Sequence, residues 1–389
     1  MNATFIAIKE AVDQMPSSTP SYDAFFARFL DQLVGVDPAV VRIHYEPGKN
    51  DVSAERTLLQ VEADARLARQ KNLKIQAQLT DFAQAHLHDE VSDELLRKLH
   101  NIEHVESTLF NLQPAFYAIL DLLSSKAVTI NKLDSYISKV DWLTEDLLRL
   151  VNQPQYRNRT ASAGLIKDIK VALRLFGIET LQQVIPVYAF KRMLPHSTEP
   201  FSGLKTRIWQ HALAVAIAAR TLADLENSHG FSAFCVGLFQ SLGYIVVTRC
   251  YLRTYQQQKQ KQILNAQAMR DSGIIETLDK LMPDASFLSE SMAEFAAELN
   301  ADVTSRWQLD VQPLYQTLDQ MSEGLGFNDN SPLTKIALQA QTYVQWQSLK
   351  RAKLINNEES LRWLAAAQLT NEKMALLAQT NLSRLNIEI

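Results

Sequence analysis

The chain has 389 residues, enough for two or three domains and a sizeable core. Glycine is scarce, 11 in all, which argues against a turn-rich β protein and against glycine loops that cradle phosphate. A formal net charge of −4 gives no whole-molecule electrostatic case for nucleic acid.

Met1 to Met15 carries Lys9, Glu10 and Asp13 and lacks the apolar core of a signal peptide. Val40 to Tyr45 alternates weakly before Pro47-Gly48, as a short strand or turn would. Residues 52–110 are charged and rich in Ala and Leu, the composition of long helices. Within them His100-Asn101-Ile102-Glu103-His104 spells H-x-x-E-H. On a single helix both histidines would share a face beside Glu103, with His86 and His88 upstream. The flanking Leu95, Leu96, Leu99, Ile102 and Val105 make an ordinary amphipathic helix, so the run reads as its polar face, with zinc at His100 and His104 as the alternative.

From Pro114 onward the chain is more apolar and helical periodicity dominates. Gly177 follows Val171–Phe176 as a helix stop, and Pro186 should kink or end the next helix. Ile208, His211, Val215 and Leu222 keep helical spacing, as do Met292, Phe295, Ala296, Leu299, Val303 and Trp307. The uncharged run Phe231–Thr248 contains Ser232, Gln240 and Ser241. It falls short of the roughly 20 apolar residues of a membrane span and reads as a buried core helix with its continuation. Arg249, Arg253, Lys259, Lys261 and Arg270, with Tyr251 and Tyr255, read as a solvated basic face; an acidic partner or a nucleotide is the alternative. Loops are expected at Gln153–Ser162, Pro195–Gly203 and Gly324–Pro332, and a helix capped by Asn357 with Glu358 and Glu359 in its first turn. Cys235 and Cys250 are spaced like neither a zinc site nor a disulfide framework. They read as buried thiols in a reducing cytoplasm.

Several pieces recur in one order: a proline-started helix at Pro114, Leu147-Leu148-Arg149-Leu150-Val151-Asn152, Ala172 with Leu175 and Gly177, Trp209-Gln210-His211, and Gly237-Leu238-Phe239-Gln240-Ser241-Leu242-Gly243. This order resembles the HDOD family, a bacterial output domain derived from HD-type metal phosphohydrolases, over roughly residues 112–320. The family shows "L-L-R-L-x-N", "A-x-x-x-L-G", "W-x-H" and "G-L-L-H-D-I-G" in these places. The resemblance implies an all-α, HD-domain-like helical bundle. Its expected division is an N-terminal helical accessory region at 1–110, the HDOD-like domain at 111–320, and C-terminal helices packed on it at 321–389. Within the "L-L-R-L-x-N" helix, Arg149 is placed to pair with a buried carboxylate and Asn152 to cap the helix.

The departures from the family's parent enzymes bear on chemistry. His211 stands at the first-histidine position, but Gln240-Ser241 replaces the His-Asp doublet. Neither neutral group substitutes for an imidazole plus a carboxylate on a divalent metal. The eight histidines are His44, His86, His88, His100, His104, His196, His211 and His229, so any later histidine ligand is absent too. The resemblance therefore implies a vestigial pocket at His211, Gln240 and Ser241, with no catalytic residue, metal or cofactor. It implies a non-catalytic cytoplasmic regulatory module for signal transduction, binding a signalling protein or a small ligand, with neither nucleic acid nor membrane as partner. The competing reading is a metal-dependent phosphohydrolase or cyclic-dinucleotide phosphodiesterase with unorthodox ligands, such as Asp271 or Glu298 near His211.

Overall fold

The computed structural model describes residues 22–36, 60–109, 112–157 and 164–385. Among these residues the protein is α-helical, with one short 3₁₀ turn at Phe327–Asp329 and no strand. The segment Val40–Tyr45 and residues 158–162 of the loop expected at Gln153–Ser162 lie outside the described residues; the first half of that loop holds a helical turn.

Two N-terminal helices, α1 (Tyr22–Val34) and the 40-residue α2 (Gln60–Leu99), precede the short α3 (Ile102–Thr108). Asn101 caps α3 by accepting a hydrogen bond from the His104 amide, so the helix breaks inside the H-x-x-E-H run. His100 sits in the turn after α2, with Nδ1 2.8 Å from the Leu96 carbonyl oxygen, and His104 lies one turn into α3. The single-helix geometry expected of these two histidines is thus corrected: Asn101 competes for the backbone and wins. Burial, Lys98 and Arg253 all push the His104 imidazole below its ordinary pKa, surroundings unlike those of a zinc ligand.

Pro114 opens α4 (Pro114–Ser124), which leads through α5 (Ile130–Ile137) to α6 (Asp141–Val151) and one turn of α7 (Pro154–Arg157). Asn152, at the end of α6, is paired with the backbone of Ile166: its Nδ2 donates to that carbonyl at 2.8 Å and its Oδ1 accepts from that amide at 2.9 Å. Asp146 is the buried carboxylate of α6, and its chief partner is Arg192, which donates from Nε at 3.1 Å and Nη2 at 2.9 Å. Arg149 reaches the same carboxylate at 3.4 Å from a mostly exposed position. The next helical run, α8 (Ile169–Met193), is interrupted at Gly177, whose φ of 69° and ψ of 166° a β-carbon would resist. Pro186 does not end α8; the helix runs on to Met193 with Pro186 buried in it.

The centre of the molecule is α9 (Leu204–Leu225), α10 (Gly230–Phe239) and α11 (Leu242–Ala268), crossed by α13 (Ala285–Ser305). Every residue of α10 except Gly230 is buried. By length and composition Gly230–Ala268 could cross a membrane, yet 94% of its apolar window is buried inside the protein, as a core helix requires. Both cysteines are buried and neither forms a disulfide, Cys235 in α10 and Cys250 in α11. The basic segment is not uniformly a solvated face. Arg249 donates to the Leu194 carbonyl, Lys259 to the carbonyls of Asp279 and Leu281, and Lys261 lies 3.6 Å from Glu90. These cations tie α11 to its neighbours, including α12 (Ser272–Lys280).

The chain ends with α14 (Leu314–Ser322), α15 (Pro332–Arg351), α16 (Asn357–Ala366) and α17 (Asn371–Gln379). A capping box fixes α16, but its cap is Asn356, one residue before the asparagine expected from sequence: Asn356 accepts from the Glu359 amide while Glu359 accepts from the Asn356 amide. One hydrophobic core runs from Phe25 of α1 to Trp363 of α16, whose rings meet at 4.8 Å. A second cluster joins Val215 and Ala219 of α9 to Tyr343 of α15 and Leu377 of α17. The α1 helix is held at its middle and at its C-terminus. Arg28 pairs with Glu359 at 2.8 Å, and Arg207 donates to the carbonyls of Leu33 and Val34, which a helix terminus otherwise leaves unpaired.

Candidate functional site

His211 lies on the core-facing stripe of α9 and is 6% exposed. Its ring is tilted against Phe29 of α1 at 4.7 Å and faces Tyr244 of α11 at 6.3 Å. Removal from water penalises the charged imidazolium, and this burial pushes its pKa down to about 3. The group is neutral at physiological pH.

The sign of the pH effect follows. The folded pKa lies below the ordinary value of 6.5, so the unfolded chain takes up a proton that the folded chain refuses. Stability from this residue is fully present above pH 6.5 and is lost as pH falls towards 3. His211→Leu should therefore flatten the fall in the urea unfolding midpoint between pH 7.5 and pH 5. A variant with the parent's slope would contradict this account.

Gln240 and Ser241 form the turn between α10 and α11, both buried. Gln240 donates from Nε2 to the Gly237 carbonyl at 3.2 Å. Its Oε1 and the Ser241 hydroxyl are sealed from solvent without a hydrogen-bond partner. The turn is pinned by a residue that sequence reasoning missed, Asn300 of α13. Its Nδ2 donates to the Gln240 carbonyl at 2.6 Å and its Oδ1 accepts from the Gly243 amide at 2.7 Å. The signal available was a single amide set in the apolar stripe between Leu299 and Val303.

A cavity of ≈ 390 Å³ opens beside His211, walled by α1, α9, α15 and the end of the chain. Phe29, Arg207, Trp209, Gln210 and Arg351 also line it; Gln240 and Ser241 do not. The three residues expected to share a pocket are thus distributed between a cavity wall and a closed turn. Among the described residues no three His, Cys, Asp or Glu side chains come together in a way that could hold a metal ion. Asp271 caps α12 by accepting from the Ile274 amide, and Glu298 is exposed on α13. The candidate donors, one neutral imidazole on the cavity wall and an amide and a hydroxyl in the closed turn, do not fit the divalent ion that an HD-type hydrolase requires.

A family model, the HDOD domain, matches residues 109–318, more than half of the chain. The chain belongs to the HDOD family. The match makes it a signalling-related, HD-like module, all-α as described above. Two solved structures are similar to it. One is from Shewanella amazonensis SB2B, provisionally described as a metal-dependent phosphohydrolase, at 14% identity and TM-score 0.41 over 73% of this chain and 99% of that one. The other is from Marinobacter aquaeolei VT8, provisionally described as a signal transduction protein, at 14% identity and TM-score 0.43 over 75% of this chain and 66% of that one. No curated protein matches the chain.

Proposed function

We propose that this HDOD protein is a non-catalytic regulatory module of the cytoplasm. It recognises a signalling protein or a small ligand and passes the result on by rearranging its helices. The observation that carries the reading is the α10–α11 turn. Where HD enzymes place a His-Asp doublet, Gln240 and Ser241 are buried with their free polar atoms closed off from solvent. A hydroxide nucleophile near neutral pH needs a metal to lower the pKa of bound water, and among the described residues no carboxylate pairs with His211 to help hold one. Two buried cysteines outside any disulfide, Cys235 and Cys250, suit a reducing compartment.

Tag-free protein purified without chelator tests the proposal, through its metal content by mass spectrometry and its hydrolysis of bis-(p-nitrophenyl) phosphate with added Mn²⁺. Substoichiometric metal and no hydrolysis above a metal-only blank are expected. One tightly held transition metal per chain, with turnover lost in His211→Ala, would overturn the proposal and establish an enzyme.

A further inference from the structure

The charged groups on the wall of the cavity beside His211 are of one sign. Arg207 and Arg351 line it, and among the described residues no aspartate or glutamate does. Arg207 directs Nε and Nη2 onto the carbonyls of Leu33 and Val34, and among the described residues its Nη1 makes no hydrogen bond or ion pair. Burial pulls the Arg207 pKa below its ordinary value, with no carboxylate among the described residues to offset it. Arg351 is exposed at the end of α15 and likewise pairs with no carboxylate among the described residues.

His211 supplies an independent observation. It lines the cavity and is only 6% exposed, yet among the described residues no hydrogen bond reaches its ring. Its nitrogens are not sealed as Gln240 Oε1 and the Ser241 hydroxyl are, so they face the open space that the ring borders. A polar side chain this buried without a partner is costly and uncommon in a native protein. Neutral at physiological pH, the ring offers one N–H donor to whatever enters. Phe29, Leu213 and Val344 supply apolar wall, and a volume of ≈ 390 Å³ suits a molecule of one ring with a short chain.

We propose that this cavity binds a small organic anion, a carboxylate or phosphate head on a flat apolar body. Arg207 Nη1 and Arg351 take the charge, the His211 N–H donates to the anion, and the body lies against Phe29 and Leu213. The proposal rests on reading the chain as a binding module and names the class of its small ligand. Guanidinium groups without a counter-carboxylate favour an oxyanion, whose geometry their forked N–H groups match. The same charges disfavour an organic cation.

Isothermal titration of the full chain, stripped of metal on a chelating resin, tests this with hydrocinnamate, phenyl phosphate, the neutral hydrocinnamamide and phenethylammonium. The anions should bind saturably, with a Kd on the order of 1 mM for ligands of this size, and the amide and the cation about tenfold more weakly or not at all. The tighter of the two anions assigns the head as carboxylate or phosphate. Arg351→Gln and His211→Phe should each weaken the anions about fivefold or more. Lys353→Gln removes the same charge from a residue outside the cavity and should bind them as the parent does. Because Arg351 is exposed, Arg351→Gln should keep the parent's melting temperature, which separates binding from folding. Equal binding of the amide, no binding of either anion, or unchanged binding in Arg351→Gln would overturn this ligand class and leave the non-catalytic module standing. Anion binding that requires added Mn²⁺ would overturn both.

Discussion

Gly243→Ala should destabilise the fold by about 4 kcal/mol or more, lowering the thermal midpoint by about 10 °C or abolishing soluble expression. A β-carbon on Gly243 would stand 2.2 Å from the carbonyl oxygen of Ala296 and 2.5 Å from its Cα. Both neighbours are backbone of α13, so no side-chain rotation relieves the clash and the two helices must separate. Separation would also break the Asn300 bridge between them. Gly164→Ala is the control: among the described residues nothing lies within 4 Å of its added carbon, and its melting should match the parent. Circular dichroism melts of the two variants decide the matter. A Gly243→Ala midpoint within about 2 °C of the parent would show that α11 and α13 do not approach as described.

Asn300→Ala should cost about 2–4 kcal/mol, because it leaves the Gln240 carbonyl and the Gly243 amide unsatisfied in a buried place. Asn300→Asp is the more informative variant. The new carboxylate can still accept from the Gly243 amide but has nothing to donate to the Gln240 carbonyl, and burial disfavours its charge. Its folded pKa is therefore raised above the unfolded value. The charged form penalises folding above the folded pKa, and stability returns as pH falls and the protonated acid regains a donor. Urea unfolding at pH 7.5 and pH 5.5 should show this variant recovering relative to Asn300→Ala at the lower pH. Parent-like stability at pH 7.5 would remove Asn300 from the role assigned to it.

Periodicity and helix punctuation made most of the helices legible, because they are written locally. The stripe from Ile208 to Leu222 is buried as its spacing requires; in the other, Met292, Ala296, Leu299 and Val303 are buried, Phe295 is half-buried and Trp307 lies in the turn after α13; Gly177 breaks its helix at the expected residue. The errors are local competitions between similar signals. Asn356 and Asn357 are both able caps, and only Asn356 has a glutamate three residues on to complete the box. Asn101 looked like a spacer in a histidine motif until its side chain took the His104 amide. The substitution of Gln240-Ser241 for a His-Asp doublet was readable from order alone. The division of labour around it was not. That Asn300 closes the turn, that Phe29 packs against His211 and that Arg207 terminates α1 are contacts between residues tens to nearly two hundred positions apart, and a one-dimensional pattern carries no record of such pairings.

The anchoring of α1 has a consequence for the order in which the molecule can be made. Phe25, Phe29, Leu30 and Leu33 emerge early, but Arg28 finds Glu359 only 331 residues later, and Trp363 arrives later still. At a synthesis rate of roughly 5–20 residues per second, that apolar face waits roughly 15–65 s on the ribosome without its final cover. Chain closure is thus a late, long-range event, and a nascent chain stalled before α16 would carry a sticky amphipathic segment without its cover.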